Sequence, residues 1–327
     1  MNMDVKSMNK FRTLKQNAII ILALLILVVL FYFLNPNFLN EYNIISMVQS
    51  LTPYAIMGLG VTFAIATGGI DLSIGTVCIA SSVVSGKLYM DGVIPLGMTI
   101  PLMIFIGGLF GLINGLLIAK LKLPAFIATL GTMMASRGLS AIIVNSPNVF
   151  YPTGTWFNNI FSNYNGFPSG VLWTFGFMLL CMYIMYKNRI GRYILAIGSN
   201  EEATRLSGIT TDNYKIIAYV ITGLFAGLAA IFWSSSFVTV ASATGNGMEL
   251  DAIAGVYIGG TSAAGGVASI GGSVIGAAML VVIRSGLNFV LARYNLNVNS
   301  TYVTFVLTGV IVVISVLIDI LKNRKKK

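Results

Sequence analysis

Long blocks of apolar residues, separated by short polar turns, dominate the chain from residue 18 onward. Residues 18–34, 45–67, 93–119 and 302–320 are examples. A helix needs about 20 consecutive apolar residues to cross the hydrocarbon core of a bilayer, with a lower limit of about 17. The first block meets that limit, and the others exceed it or come close. The pattern therefore predicts a protein built from membrane-spanning helices.

Followed along the whole chain, this pattern predicts about ten spanning helices. Nine follow from apolar length and flanking charge: residues 18–34, 45–67, 72–89, 93–119, 124–144, 170–186, 214–234, 273–293 and 302–320. The tenth lies within 248–268 and is interrupted by glycine, which disfavours a helix interior by about 1 kcal/mol per residue. That segment is either a crossing or a broken, re-entrant stretch buried against other helices.

Charged residues are scarce and lie mainly at the ends of the apolar blocks. Hydrophobic residues make up 56% of the chain and charged residues 9%, which excludes an ordinary soluble domain with about 25% charged residues. The formal net charge is +10, with basic residues concentrated before the first block and after the last. Basic runs can bind nucleic acid, but beside spanning helices we interpret them as topology signals. The positive-inside rule then predicts two cytoplasmic termini and an even number of crossings.

These observations predict an all-α polytopic membrane protein with one transmembrane domain. Its parts are a basic cytoplasmic tail at 1–17, the membrane domain at 18–320 and a second basic tail at 321–327. The polar stretch 187–213 carries several basic residues and is predicted to be a cytoplasmic loop. The first apolar block resembles a signal peptide, but no small-residue cleavage site follows it, so we expect a retained signal anchor.

The composition contains few of the residues that enzymes use for catalysis. The chain has no histidine, which removes the commonest proton shuttle and metal ligand. Its two cysteines, Cys78 and Cys181, lie in apolar segments and are expected to pack in the core. No Walker loop for a nucleotide and no nucleophile–base constellation stand out. The sequence therefore indicates no catalytic residue, no metal site and no cofactor.

A glycine pair followed by an acidic residue separates the second and third predicted helices. Gly68 and Gly69 allow a tight turn with positive φ, and Asp71 and Ser73 follow them. Asp71 can cap the third helix by accepting backbone N–H bonds. Alternatively, the break exposes polar groups to a substrate path.

The polar stretch contains a short helix with its own start and stop signals. Asn200 can cap its beginning, Glu201 and Glu202 suit the positive end of its dipole, and Gly208 is placed to end it. Its apolar face is formed by Ala203, Leu206 and Ile209. That face lies outside the bilayer, so the helix is either a structured connector or a docking site for a soluble subunit.

The glycine-rich segment after residue 248 and one buried arginine complete the candidate sites. Glu249 and Asp251 are placed to cap a helix, and the many small residues allow close helix packing. Arg284 lies near the middle of a predicted span, where a charge is costly and normally has a partner. Asp71, Glu249 and Asp251 are the candidate partners. A structural ion pair and a substrate contact are both consistent with this position.

Taken together, these motifs resemble the permease subunits of bacterial ATP-binding cassette importers for monosaccharides, the ribose, galactose, xylose and autoinducer-2 group. The resemblance runs from about Phe38 to Asp319. Its marks are the Gly-Gly-Ile-Asp-Leu-Ser run at 68–73, residues 123–131, 196–209, 249–254, 258–262 and 285–288. Ala125 and Thr204 depart from the family pattern, which more often has proline and alanine there, and neither change alters charge.

The resemblance implies a permease that forms the translocation path for a ribose-like monosaccharide and catalyses no reaction. It implies location in the bacterial inner membrane and three kinds of partner: a second permease subunit, a cytoplasmic ATPase and an extracytoplasmic sugar-binding protein. The ATPase would bind a coupling helix made of Asn200, Glu201, Glu202, Ala203, Arg205, Leu206, Ser207, Gly208 and Ile209. Candidates for the path or its gate are Gly68, Gly69, Asp71, Ser73, Asp251, Arg284 and Asn288.

Other functions remain open from the sequence. A permease for autoinducer-2, a nucleoside or a branched-chain amino acid belongs to the same importer class. An ion-coupled secondary transporter would usually need more ionisable groups inside the membrane. A structural scaffold would leave the glycine breaks and the capped polar helix unexplained.

Overall fold

The computed structural model describes residues 5–144, 148–241, 244–245, 247–294 and 300–324. Most of these residues are helical. The helices are α1 (Val5–Leu34), α2 (Glu41–Ala66), α3 (Ile74–Met90), α4 (Leu96–Ala119), α5 (Ala125–Val144), α6 (Trp156–Phe161), α7 (Gly170–Tyr186), α8 (Arg189–Ser199), α9 (Glu201–Leu206), α10 (Thr211–Ser236), α11 (Met248–Ile258), α12 (Ile270–Arg293) and α13 (Ser300–Arg324). A 3₁₀ helix at Pro36–Leu39 and two strands, β1 (Asn148–Phe150) and β2 (Thr239–Ala241), complete the described elements.

Within the described residues, six helices are long and apolar enough to cross a bilayer: α1, α2, α4, α5, α10 and α12. Helices α7 and α8, which meet at 66°, make a seventh if they are taken as one span. Helix α3 and the Tyr302–Ile314 part of α13 are apolar but shorter. The predicted all-α, multi-pass architecture is confirmed. The count of ten crossings and the side of the termini stay predictions.

Helix α11 occupies the segment where the tenth crossing was expected. Its 11 residues make about 16 Å of helix, roughly half of the hydrocarbon thickness. Gly260, Gly265 and Gly266 then turn the chain with positive φ, and α12 runs back along α11. The backbones meet where Gly255 faces Gly276 and Gly259 faces Gly272. The glycines of this region therefore serve close packing, as their abundance predicted.

Local chemistry sets the ends of the helices. Helix α2 begins after Asn40, whose side chain accepts the Asn43 backbone N–H at 2.7 Å and so satisfies a free donor of the first turn. Helix α4 begins at Leu96 instead of residue 93, because Pro95 stands in extended conformation at its N-cap. Helix α7 has the predicted bounds 170–186.

The centre of the bundle is formed by α2 and α10. Every residue of α2 from Thr52 to Ala66 is buried. Helix α10 packs on α4 through facing glycines, since a Cβ at Gly107 would collide with the backbone of Gly223 and Gly227. Such small residues let membrane helices approach closely. Helices α1, α4, α5, α7 and α13 instead expose many large apolar side chains, as a lipid-facing surface does.

A small antiparallel sheet joins two loops at the Met90 end of α3. Strand β1 pairs with β2, and Val149 and Val240 are opposite each other and buried. Tyr151, next to β1, donates a hydrogen bond from its hydroxyl to the Ser82 carbonyl at 2.6 Å. The sheet thus covers one end of α3, while the other end begins inside the bundle.

Candidate translocation site and coupling segment

The Gly68–Ser73 segment is a break between α2 and α3 in which Asp71 and Ser73 are buried. Gly68 has a φ of +84°, as the predicted tight turn requires, and Gly69 packs against the hydroxyl of Tyr219 on α10. Asp71 Oδ1 accepts the Ser73 backbone N–H at 2.8 Å and the Ser73 hydroxyl at 2.6 Å. The predicted backbone bond to Asp71 is present. Its assignment as the cap residue was wrong, because Ser73 occupies the N-cap and the carboxylate lies two residues before that cap.

Two side chains that sequence reasoning missed extend this break into a buried polar network. Asn114 of α4 donates from Nδ2 to Ser73 Oγ at 2.9 Å, and Thr132 of α5 donates to Asn114 Oδ1 at 2.7 Å. Asn114 is 1% exposed. An amide in the middle of the apolar block 93–119 was the available signal, because a buried amide needs partners. The network ties α3, α4 and α5 to the break.

Arg284 has the charged partner that its depth in the bundle requires. Its guanidinium pairs with Asp251 of α11, which selects one of the three carboxylates considered. It also donates from Nη1 to the Tyr54 hydroxyl at 2.8 Å and lies 5.4 Å from the centre of that ring. Thr308 of α13 donates to Asp251 Oδ1 at 3.3 Å. We call Tyr54, Asp251, Arg284 and Thr308 the charge cluster.

Two other candidate site residues, Asn288 and Glu249, do not belong to the charge cluster. Asn288 is one turn further along α12 and exposed, so the structure does not bring it to Arg284. Glu249 is buried, and its Oε1 accepts the Gly247 backbone N–H at 3.3 Å. Of the two carboxylates expected to cap α11, Glu249 therefore bonds the backbone before the helix. Asp251 instead pairs with Arg284.

The predicted coupling helix is α9, and its local signals act as expected. Asn200 Oδ1 accepts the Ala203 backbone N–H at 2.9 Å, and Gly208 follows the helix with a φ of +83°. Leu206 is 80% exposed, Ala203 is exposed and Ile209 is half-buried. Thr204, which departs from the family pattern, is buried and donates to the Asn200 carbonyl at 2.8 Å.

Ion pairs surround α9 and hold it to its neighbours. Glu201 pairs with Lys215 of α10 at 2.6 Å, and Arg205 pairs with Glu202 at 2.7 Å. The carboxylate of Glu202 raises the pKa of Arg205 above its ordinary value. A groove next to α9 is lined by Lys120, Lys122 and residues 208–213, and in it Asp212 pairs with Lys122 at 2.6 Å. The exposed apolar tip of Leu206 is thus framed by charges.

The residues just before α9 contact both glycine breaks through their backbones. The Gly266 N–H donates to the Ala66 carbonyl at 3.0 Å. A Cβ at Gly198 would collide with both of these groups, and one at Gly265 would collide with Gly68. We call Ala66, Gly68, Gly198, Gly265 and Gly266 the inner junction. It places the end of α8, just before α9, against the ends of α2 and of the α11–α12 turn.

Comparison with known proteins gives consistent matches over nearly the whole chain. A model of the family described as branched-chain amino acid transport system / permease component matches residues 43–316. The ribose import permease protein of Escherichia coli K12 is 36% identical over 94% of this chain and 93% of its own length. The corresponding protein of Bacillus subtilis is 36% identical over 91% of each. The galactose/methyl galactoside import permease protein of Haemophilus influenzae is 32% identical over 97% of each. No solved structure matches the chain.

Proposed function

Since the chain belongs to the family of branched-chain amino acid transport system permease components, we propose that it is the membrane subunit of an ATP-driven monosaccharide importer, with ribose or a close analogue as substrate. Membership makes it a multi-pass inner-membrane transport subunit and not an enzyme. The observation that carries the sugar assignment is the 36% identity to ribose import permeases over nearly the whole chain.

A permease for branched-chain amino acids is the second candidate, because the family description names that class of solute. The relatives described above are named for ribose and galactose, which favours a sugar. The groups buried along the bundle also favour it. Hydroxyls, amides and one ion pair suit a polyhydroxylated solute better than a branched aliphatic side chain.

The proposed topology has ten crossings with both termini in the cytoplasm. The tails are residues 1–17 and 321–327, residues 18–320 form one transmembrane domain, and 187–213 is the cytoplasmic loop. The basic residues in these regions support this orientation under the positive-inside rule. Two subunits of this kind would form the path, with an extracytoplasmic binding protein delivering the sugar.

The coupling segment, residues 200–209, is proposed to dock on a separate cytoplasmic ATPase. The exposed Leu206 offers an apolar anchor, and the charges around it offer orientation. Interface anchors of this type carry much of the binding energy in protein complexes. The inner junction then gives a short mechanical route from the ATPase to both glycine breaks.

The path is proposed to pass the two polar sites. Gly68, Gly69, Asp71 and Ser73 form its inner gate, with Asp251 and Arg284 deeper in the bundle. Broken helices near the membrane midplane are typical of transporter substrate sites. Asn288 is kept only as a position at the far end of the path.

Uptake by cells without their own ribose transport tests the proposed function. The chain is expressed with the ATPase and binding-protein genes expected in the neighbouring reading frames, and radiolabelled ribose is supplied. Accumulation should stop when ATP is depleted and should survive collapse of the ion gradients. Leucine accumulation would favour the second candidate. Ribose uptake driven by an ion gradient would contradict the importer assignment, and so would neighbouring frames that encode neither partner.

A further inference from the structure

Two rigid side chains buried in the bundle each carry one polar atom that lacks a hydrogen-bond partner. In the part of the chain that the structure describes, four buried side-chain atoms are unpartnered: Ser85 Oγ, Ser234 Oγ, Trp233 Nε1 and Glu249 Oε2. A serine hydroxyl can rotate toward a carbonyl of its own helix, so the two serines need no further explanation. The indole N–H of Trp233 and the Oε2 atom of Glu249 have no such freedom to rotate.

The indole N–H of Trp233 has no acceptor, whereas that of another tryptophan in the same protein does. Trp173, which is 39% exposed, donates from Nε1 to the Ile160 carbonyl at 2.9 Å. Trp233 is 7% exposed and has no acceptor. Leaving a buried donor unpaired costs about 1–3 kcal/mol, and buried polar groups are nearly always partnered. An unpaired donor at this depth therefore indicates a group that is absent from the chain itself.

The surroundings of Trp233 show which chemistry that group needs. The Trp233 ring stands perpendicular to the Tyr54 ring, with the centroids 6.2 Å apart. The Tyr54 hydroxyl accepts a bond from Arg284, which pairs with Asp251. An indole donor, a hydroxyl, a guanidinium and a carboxylate thus follow one another across α10, α2, α12 and α11. Alternating donors and acceptors among aromatic rings suit a small polyhydroxylated ligand.

Three of the four residues in this row border free space, and Glu249 lies near the glycine break. Tyr54, Asp251 and Arg284 line a small cavity together with apolar residues of α12. Glu249, whose Oε2 is the second of these unpartnered atoms, lies against Gly75 in the first turn of α3. Helices α10 and α11, which carry the two groups, both pack on α3. The unpartnered acceptor therefore borders the helix that begins at the proposed inner gate, and the unpartnered donor lies on a helix that packs against it.

We propose that Trp233 contacts the monosaccharide during its passage, donating its indole N–H to one sugar hydroxyl beside the row Tyr54–Arg284–Asp251. This inference rests on the proposed function. A single hydrogen bond of this kind contributes about 0.5–1.5 kcal/mol. The contact is thus weak enough to release the sugar and strong enough to select for a hydroxyl at one position.

The test is transport by the complete importer in proteoliposomes, with its ATPase and binding protein. Wild type is compared with Trp233→Phe, which keeps an aromatic ring and removes only the N–H, and with Trp173→Phe as the matched control. The substrates are ribose and each of its monodeoxy analogues. For each sugar the variant rate is divided by the wild-type rate, so the preference of the shared binding protein cancels.

Trp233→Phe should transport ribose about three- to tenfold more slowly than wild type. For the one analogue that lacks the contacted hydroxyl the ratio should return to about 1, and Trp173→Phe should stay within twofold for every sugar. An equal ratio for all sugars would mean a packing role and would overturn the inference. Unchanged ribose transport, as expected if a bound water satisfies the N–H, would overturn it too. A wild type that moves no monosaccharide would overturn the proposed function as well.

Discussion

The inner junction and the charge cluster both connect separate helices of the bundle, but the junction does so through backbone atoms and the cluster through side chains. At the junction the chain meets itself through backbone atoms, as in the bond from Gly266 N–H to the Ala66 carbonyl. In the charge cluster, the long side chains of Tyr54, Asp251 and Arg284 bridge helices. A backbone contact has no rotamers that could absorb a displacement, whereas side chains can exchange partners while the helices stay in place. The junction is therefore suited to transmit motion, and the cluster to respond to what occupies the path.

The largest expected effect comes from adding one methyl group at the junction. In Gly198→Ala the Cβ would collide with the Ala66 carbonyl and the Gly266 N–H, so α8 must move away from both breaks. Overpacking of this kind costs about 1–3 kcal/mol. Uptake should fall by more than tenfold, measured as the initial rate of radiolabelled ribose accumulation. The same change at Gly176, where a Cβ would meet nothing within 4 Å, should leave uptake unchanged. Normal uptake by the Gly198→Ala variant would contradict a role of the inner junction in transport.

A smaller effect is expected on breaking the charge cluster. Arg284→Ala leaves Asp251 buried without its counter-charge, and breaking a buried pair costs about 3–5 kcal/mol. Because the Arg284 side chain is 35% exposed, we expect about 2–3 kcal/mol, measured as loss of thermal stability in detergent. The double variant Asp251→Asn with Arg284→Ala, compared with each single variant, should recover most of it. Two additive losses in this double-mutant cycle would show that the two residues do not act as a pair.

The smallest effect is expected at the surface of the coupling segment. Leu206→Ala removes an exposed apolar tip without touching the fold, so thermal stability should be unchanged. Association with the ATPase should weaken about tenfold, which corresponds to about 1.4 kcal/mol, measured by co-purification at graded ATPase concentrations. Leu172→Ala, at a comparably exposed leucine on α7, is the control. Equal ATPase affinity in both variants would contradict docking at α9.

Features set by neighbours in sequence could be predicted well. The bounds of α7, the Asn200 cap and the positive φ of Gly68 and Gly208 follow from apolar length and short-range chemistry. Features set by distant contacts could not. The sequence offered three partners for Arg284, and nothing local distinguishes Asp251 from Glu249. The Asn114 network was missed for the same reason, because its members come from three helices.

The sequence by itself determined that this protein is a membrane protein, because partitioning into a bilayer depends on composition and on the length of apolar runs. It also determined the family, because several family motifs occur in the same order along the chain. Only the tertiary structure decided that two glycine breaks and the end of α8 meet at one point. Glycine carries no side chain to mark such a contact in the sequence. The approach becomes visible only where helices distant in sequence are packed against each other.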